Sequence, residues 1–410
     1  MFWIERSGID GMTTSHQRAT AQRDVLPLSA LLALAMTGFT AILTETLPAG
    51  LLPRIAAGLH VSQPLAGQLV TAYAAGSLLA AIPLVTWTQG FRRRPTLLAA
   101  IGGFLLCNAG TALCADYRLA LVARFGAGVA AGLAWGLLAG YARRLVSERL
   151  QGRALAVAMA GTPVALSIGV PIGTFLGNAI GWRAAFGAMS ATTVLLILWV
   201  SAAVPDFPGQ AAAGRPSLAR VFRTPGIRPV LLVILAWMTA HNILYTYVAP
   251  LAAPSDLQRY LDLLLLGFGI SALAGIWLTG LLIDHALRRL ALASLAGFAL
   301  VAIVLALLPA HPAAIVFAVL LWGLSFGGAA TQLQTAAGDA AGDGVDLANA
   351  MITTTWNTAI AAGGLLGGAL LDRWGGVALA PAAGAFVAVA LAVVLADRRH
   401  AFRPGPRAVA

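Results

Sequence analysis

Long apolar runs separated by short polar segments repeat along the whole chain. Each run holds about 20 residues, the length an α-helix needs to cross a hydrocarbon core of about 30 Å. None of the runs alternates apolar and polar positions as a barrel strand does, so helices are predicted throughout. Twelve membrane spans are predicted, over residues 27–52, 65–88, 96–115, 118–142, 153–178, 184–204, 228–252, 260–284, 289–308, 312–335, 347–371 and 376–397.

The longest polar segment between spans divides the chain into two parts with six spans each. Two similar six-helix halves joined by a cytoplasmic linker are a common architecture of secondary transporters. The predicted fold is therefore an all-α polytopic membrane protein with two pseudo-symmetric halves. Its predicted parts are an N-terminal tail (1–26), an N-terminal half (27–204), a linker (205–227), a C-terminal half (228–397) and a C-terminal tail (398–410).

The composition agrees with a membrane protein and excludes a soluble one. The chain has 410 residues, of which 59% are hydrophobic and 10% are charged. Soluble domains are about 25% charged, so this chain has too few charges to cover its surface in water. We expect the lipid bilayer to be its solvent.

The arginines predict the orientation in the membrane, because the chain contains no lysine. Most of them lie in segments on the same side as both termini, such as Arg92–Arg94 and Arg398–Arg399, and few lie on the other side. This positive-inside pattern predicts a cell inner membrane protein with both termini in the cytoplasm. The net charge of +11 then reflects topology and contact with anionic headgroups, and nucleic acid is not an expected partner.

The sequence lacks the residues that several kinds of enzyme chemistry require. A P-loop requires Gly-Lys-Ser/Thr, and a Schiff base requires lysine, so neither is available. No two histidines stand at metal-ligand spacing, and we expect neither a metal nor another cofactor. The Gly-x-Ser-x-Gly motif at residues 323–327 lies inside a predicted helix, whereas a nucleophile elbow needs a strand-to-helix turn. The sequence therefore favours a non-enzyme that draws its energy from an ion gradient.

One carboxylate, Glu45, lies inside a hydrophobic run. It is about 18 residues into the first span, about 27 Å along the helix. A charge there costs several kcal/mol unless it faces a partner or a wet cavity. Arg124 enters the fourth span at a comparable depth. Glu45 is thus an interface residue, a structural partner of Arg124, or a site that loses and gains a proton as water access alternates. These interpretations stay open, with the proton site as the working hypothesis.

Several segments resemble the major facilitator superfamily, specifically its twelve-span drug:proton antiporter and sugar-efflux branch. TETLPAGLLPRIAAGLHVSQPLAGQLVTAYAAG (44–76) resembles the branch's first two helices, and GVPIGTFLGNAIGWRAAF (169–186) is similar to its antiporter motif. AHNILYTYVAPL (240–251), LWGLSFGGAATQLQTA (321–336) and WNTAIAAGGLLGGALLD (356–372) are similar to spans seven, ten and eleven. The resemblance covers nearly the whole chain after the N-terminal tail.

The resemblance implies alternating access, with spans 1, 4, 7 and 10 around a central cavity. It predicts an exporter of a small organic molecule (a drug, a sugar or a nucleoside-like compound) in exchange for protons. An uptake symporter or a uniporter of the same fold is the alternative. A membrane-embedded enzyme or sensor would need site chemistry or a soluble output domain, and neither is seen. We expect a monomer.

Polar and aromatic residues within the spans are candidates for the cavity wall. His241 and Asn242 lie about 14 residues into span seven, near mid-membrane, where transporters bind substrate. The alternative is that such side chains join helices by hydrogen bonds or packing. The full set of cavity candidates is Tyr73, Trp135, His241, Asn242, Tyr245, Trp322, Gln332, Trp356 and Asn357.

A second set of candidates concerns gating and helix packing. Gly169, Gly173 and Gly177 recur at every fourth position of span five and predict a smooth ridge, while Pro171 should bend the helix. We expect Gly173 to contact a helix of the other half, where it would seal one side. The family's loop motif after span eight matches Gly280, Asp284, Arg288 and Arg289. In the first-half copy of that motif Gln89 stands where the family often has aspartate.

Overall fold

The computed structural model describes residues 26–147, 150–209, 218–341 and 345–405. The predicted N-terminal tail before residue 26, the middle of the predicted linker and the last residues of the predicted C-terminal tail lie outside these ranges. The long helices are α1 (Leu28–Gly50), α2 (Gln63–Trp87), α3 (Arg93–Leu113), α4 (Tyr117–Arg144), α5 (Arg153–Ile180), α6 (Trp182–Ala203), α7 (Ile227–Thr246), α8 (Leu257–Ile283), α9 (His285–Leu307), α10 (Pro312–Ala341), α11 (Val345–Trp374) and α12 (Leu379–Ala396). Within the described ranges no residue forms a strand.

Helices occupy all twelve predicted positions, and the all-α membrane fold is confirmed. Eleven of the helices in the described part of the chain are long and apolar enough to cross a membrane. The remaining one, α11, is 30 residues long, and its first half is more polar because it carries Thr353–Thr355 and Asn357. Helices α8 and α9 run on from one another, with a kink at Ala286, whose φ of −148° and ψ of 34° are not helical.

The two halves share a packing scheme. In the N-terminal half α2 packs along α4, and both α1 and α3 pack against α6. In the C-terminal half the continuous pair α8 and α9 packs along α10 and against α12, and α7 also packs against α12. The close approach of α4 to α2 depends on glycine, because a Cβ at Gly128 or Gly132 would overlap the α2 backbone at Tyr73 or Ser77. Among the described residues, the halves meet mainly where α2 packs on α11 and α5 packs on α8, with a smaller contact of α1 with α7.

Among the described residues, the largest buried cluster runs from one end of the N-terminal half into the C-terminal half. Leu47, Leu51 and Leu69 belong to the same buried cluster as Tyr247 and Leu265 of the other half. The opposite end of the N-terminal half has its own core, around residues such as Leu34, Leu97 and Val200. The halves are therefore packed together at the ends predicted to face outward.

In each half, hydrogen bonds near the loops predicted to be cytoplasmic hold the end of the last helix in place. After α6, Asp206 accepts hydrogen bonds from the Arg94 backbone N–H at 3.0 Å and from Arg92 Nε. These bonds hold the pKa of Asp206 below its usual value. After α12, Arg288 donates from Nη1 to the carbonyls of Val394 and Asp397, at 2.6 and 3.0 Å.

Candidate proton and substrate site

Arg124 is fully buried in α4 and points into the N-terminal half. Its Nη2 donates to the backbone carbonyl of Thr44 in α1, at 2.5 Å, and its Nε donates to the carbonyl of Leu69 in α2, at 3.4 Å. The guanidinium also lies 5.1 Å from the ring centroid of Tyr73 and 5.8 Å from that of Phe186. Since Nη1 has no partner within the described ranges, the arginine keeps one donor available.

Glu45 follows Thr44 directly, so its backbone lies beside the Arg124 guanidinium. Within the described ranges no ion pair of 4 Å or less joins the two side chains. The residue as a whole is partly exposed, and its carboxylate lies within electrostatic reach of Arg124, Tyr73 and Tyr245. Arg124 is thus held by carbonyls and attracts the carboxylate without a direct bond. A carboxylate in this position can release a proton beside a fixed positive charge.

Thr44, Glu45, Tyr73, Asn108 and Arg124 form what we call the polar centre. The Tyr73 hydroxyl donates to the carbonyl of Ala41 at 2.9 Å, and Asn108 Nδ2 donates to the Thr44 hydroxyl at 2.9 Å. Sequence reasoning identified the two charges and Tyr73. It missed Thr44, which contributes a backbone carbonyl that no side-chain pattern can reveal.

In the C-terminal half, the region equivalent to the polar centre consists of aromatic side chains. His241 of α7 stacks on Phe326 with ring centroids 3.7 Å apart and on Tyr245 at 5.2 Å. Trp322 Nε1 donates to His241 Nδ1 at 3.2 Å. Because Nδ1 accepts this bond, the proton of the neutral imidazole lies on Nε2. We call His241, Tyr245, Trp322 and Phe326, with Phe268 and Phe298 packed around them, the aromatic centre.

The structure therefore brings together six of the predicted residues, and Tyr245 links the two centres. Its ring stacks on His241, and its hydroxyl lies beside Thr46 and within electrostatic reach of Glu45. The three phenylalanines were missed, because a phenylalanine in a membrane span carries no signal that separates a site from lipid contact.

The other cavity candidates lie apart from these centres. The amides of Asn242 and Asn357 bond back to their own helices, at Met238 and Thr353. Gln332 is fully buried, and its Nε2 donates to Thr279 and Ser294, which ties α10 to α8 and α9. Two tryptophans remain partly exposed inside the bundle. They are Trp135, next to Gly38 of α1, and Trp356, next to Val70 and Ala74 of α2.

Hydrogen bonds also join the two halves at their predicted outer ends. Gln68 Nε2 in α2 donates to Gly364 O in α11 and to the Tyr247 hydroxyl, at 3.2 and 3.3 Å. The Tyr247 hydroxyl donates to Gly364 O at 2.8 Å. We call Gln68, Tyr247 and Gly364 the outer seal. It was not predicted, because its acceptor is a backbone carbonyl.

The expected position of the glycine ridge in α5 is wrong. A Cβ at Gly173 would lie 2.7 Å from Leu47 Cδ1, and one at Gly169 or Gly177 would meet Phe39 or Leu51. All of these neighbours belong to α1 of the same half or to Leu51, the residue that follows it. They recur every fourth residue, as the glycines do, so the ridge of one helix fits the other. Other positions of α5 contact α8 of the other half, among them Ser167, which lies against Gly269.

The remaining gating candidates differ in burial and in their contacts. Pro171 is buried and follows a π-helical turn at Ala165–Gly169, a type of turn that is common at functional sites. Arg288 caps α12, whereas Arg289 is exposed and Gly280 has open space around it. The side chain of Asp284 lies outside the described part of the structure.

Comparisons with known proteins agree with this architecture. The family model for the Major Facilitator Superfamily matches residues 34–345. The chain is similar to the purine ribonucleoside efflux pump NepI of Escherichia coli O6:K15:H31 (strain 536), with 28% identity over 351 residues, 85% of this chain and 88% of the relative. The pump of strain CFT073 gives the same values. The fold resembles that of a bacterial homologue of the human lysosomal transporter Spinster, with a TM-score of 0.62, 14% identity, and coverage of 91% of this chain and 95% of that one.

Proposed function

The chain belongs to the major facilitator superfamily of membrane transporters, and from this premise we propose that it exports a nucleoside in exchange for protons across the inner membrane. The observation that carries the proton coupling is the partly exposed acidic residue Glu45 beside the buried Arg124. A carboxylate that changes its access to water as the halves move can carry a proton each way.

The proposed substrate class rests on the chemistry of side chains inside the bundle and on the similarity to a pump of described substrate. A ribonucleoside has a flat aromatic base and a hydroxylated sugar, which suit stacking on rings and hydrogen bonding to polar side chains. Between the centres, Tyr245 provides a ring and a hydroxyl. Elsewhere inside the bundle, the partly exposed Trp135 and Trp356 provide further ring surface. The similar E. coli protein is described as a purine ribonucleoside efflux pump. We therefore place purine ribonucleosides first, ahead of sugars and drugs.

Everted membrane vesicles test this proposal directly. Acidified inside by respiration, they should release protons when a purine ribonucleoside is added, and a pH-sensitive dye reports the change. A sugar and a cationic drug serve as competing substrates, and vesicles without the protein serve as the control. Proton movement in the opposite direction, with substrate uptake into right-side-out vesicles, would instead establish an uptake symporter.

The variant Glu45→Gln identifies the proton site. It should abolish substrate accumulation driven by the proton gradient, while exchange of substrate between equal pools survives. For exchange of one proton per substrate, each pH unit supports about a tenfold substrate gradient, so the expected loss is large. Unchanged accumulation in Glu45→Gln would leave Glu45 as an interface or structural residue.

A further inference from the structure

Asn108 is a buried amide inside a membrane-spanning helix. It has no exposed surface, and between Pro95 and Leu113 it is the only amide or charged residue of α3. A polar group without water or a partner costs free energy in hydrocarbon, so an amide at this position depends on the hydrogen bonds that it makes. Those bonds therefore decide what Asn108 contributes to the fold.

The hydrogen bond of Asn108 goes to the residue that precedes Glu45. Its Nδ2 donates to the Thr44 hydroxyl at 2.9 Å, and neither residue is exposed. Arg124 Nη2 donates to the backbone carbonyl of the same threonine. Thr44 is thus held through its side chain by α3 and through its carbonyl by α4. Two helices fix α1 next to the carboxylate.

Packing alone does not account for the amide. Asn108 Oδ1 has no hydrogen-bond partner within the described ranges, and neither has Arg124 Nη1. An unsatisfied buried acceptor destabilises a fold, whereas an apolar side chain of similar shape avoids that cost. A leucine would fill the same space. The amide is therefore explained by its bond to Thr44 and not by the space that it fills.

The hydroxyl side chains of α3 bond within their own helix. Thr96 Oγ1 donates to the carbonyl of Arg92, and Thr111 Oγ1 donates to the carbonyl of Cys107, each at 2.8 Å. Asn108, in contrast, reaches a neighbouring helix. Thr111 is also buried and lies less than one turn away. It therefore provides a matched comparison, a buried polar group of α3 whose hydrogen bond stays inside the helix.

We propose that Asn108 is a positioning residue for proton coupling, and this role rests on the proposed proton site at Glu45. Through Thr44, Asn108 fixes the rotation and axial position of α1, and so it fixes the distance from the Glu45 carboxylate to the Arg124 guanidinium. The attraction between the two charges depends on that distance. Without the bond from α3 the distance varies, so proton binding at Glu45 no longer follows the movement of the halves. Protons then cross without substrate.

Substrate accumulation in vesicles at a fixed gradient of one pH unit tests the role, with a purine ribonucleoside as substrate. Asn108→Leu removes the amide and keeps its volume, and Thr44→Val removes the hydroxyl but keeps the carbonyl that Arg124 binds. Each variant should lower accumulation about threefold or more, the effect of one lost hydrogen bond. Exchange of substrate between equal pools should survive, because it needs no net proton movement. The double variant should lose no more than either single variant, since both remove the same bond.

Two further variants separate positioning from a simple loss of stability. Thr44→Ser keeps the hydroxyl, so it should restore the accumulation that is lost in Thr44→Val. Thr111→Val removes a buried hydroxyl from the same helix but leaves the Asn108 bond intact, so its accumulation should equal that of the wild type. Thermal unfolding in detergent, measured for every variant, verifies that each is folded at the temperature of the transport assay.

The outcomes distinguish this role from the proton site itself. Wild-type accumulation in Asn108→Leu, beside a loss in Glu45→Gln, would overturn the positioning role and leave the proton site in place. Accumulation that survives in Glu45→Gln would instead overturn the proton site, and the positioning role with it. An equal loss in Thr111→Val, or additive losses in the double variant, would show that Asn108 does not act through Thr44. A shared loss that Thr44→Ser restores would support the role.

Discussion

The two halves of the protein use equivalent helices to build opposite kinds of centre. In the N-terminal half α1 and α4 hold the polar centre, where Arg124 is bonded to carbonyls and a carboxylate lies beside it. In the C-terminal half α7 and α10 hold the aromatic centre, where Trp322 and Phe326 enclose His241. The difference indicates that the repeated fold provides the frame, and that charge and ring chemistry are assigned to separate halves.

This division has a consequence for proton coupling. His241 is the basic residue of the aromatic centre, and its stacked ring accepts a hydrogen bond from Trp322 at Nδ1. A charge on this ring would lose that bond, because a protonated imidazole has no acceptor. We therefore expect the C-terminal half to stay neutral while the N-terminal half carries the charge. Four substitutions test this contrast, from the largest expected effect to the smallest.

Trp322→Ala should damage the aromatic centre most. The side chain is 1% exposed and packs against Phe268, Phe298 and His241. Truncation of a buried tryptophan typically lowers the free energy of unfolding by about 3–5 kcal/mol. Thermal or denaturant unfolding in detergent measures it. The control Trp277→Ala, at a residue 68% exposed in α8, should cost less than about 1 kcal/mol. Equal losses for the two variants would show that the rings do not form a centre.

Arg124→Gln should destabilise the polar centre by about 2–3 kcal/mol. The variant removes the charged hydrogen bonds to the carbonyls of Thr44 and Leu69, which lose their partner inside the half. Unfolding in detergent again measures the loss. Arg143→Gln, at an exposed position of the same helix, should change stability by about 0.5 kcal/mol or less. A neutral effect of Arg124→Gln would argue against a structural role for the arginine.

His241→Gln should leave proton coupling intact. If charge movement is confined to the polar centre, the variant still accumulates substrate by about tenfold per pH unit for one proton, although its affinity for substrate falls. Substrate accumulation in vesicles over a series of imposed pH gradients measures the slope, with Glu45→Gln as the uncoupled reference. If accumulation in His241→Gln depends on the pH gradient as little as it does in Glu45→Gln, the aromatic half also carries a proton. The two halves would then not differ in proton coupling.

Gly173→Ala should have the smallest effect and test whether the N-terminal half moves as one body. The added methyl group meets Leu47 Cδ1, the flexible end of a side chain in the same half, so a loss of about 1 kcal/mol is expected. Cysteine labelling at the outer seal should proceed at the wild-type rate. Gly140→Ala, with open space around the new methyl group, is the neutral control. Faster labelling in Gly173→Ala would mean that α5 controls the outer side after all.

The glycine ridge shows what helical periodicity can predict and what it cannot. Repetition every fourth residue predicted correctly that Gly169, Gly173 and Gly177 form a face for close packing. It could not predict the neighbour, because the face of one helix fits any helix with a matching ridge. The partner turned out to be Phe39, Leu43 and Leu47 of α1, since the chain folds α5 back against its own half.

The sequence by itself determined the membrane environment, the all-α fold, the positions of the helices and the presence of one acid, Glu45, inside the predicted spans of the first half. These follow from local properties, namely the length of apolar runs and the cost of a charge in hydrocarbon. Only the tertiary structure decided that Arg124 is bonded to the carbonyls of Thr44 and Leu69, that three phenylalanines surround His241, and that Gln68 and Tyr247 meet at Gly364. Backbone carbonyls are the same at every residue and aromatic rings are common in membrane spans, so neither shows its partner until the helices are packed together.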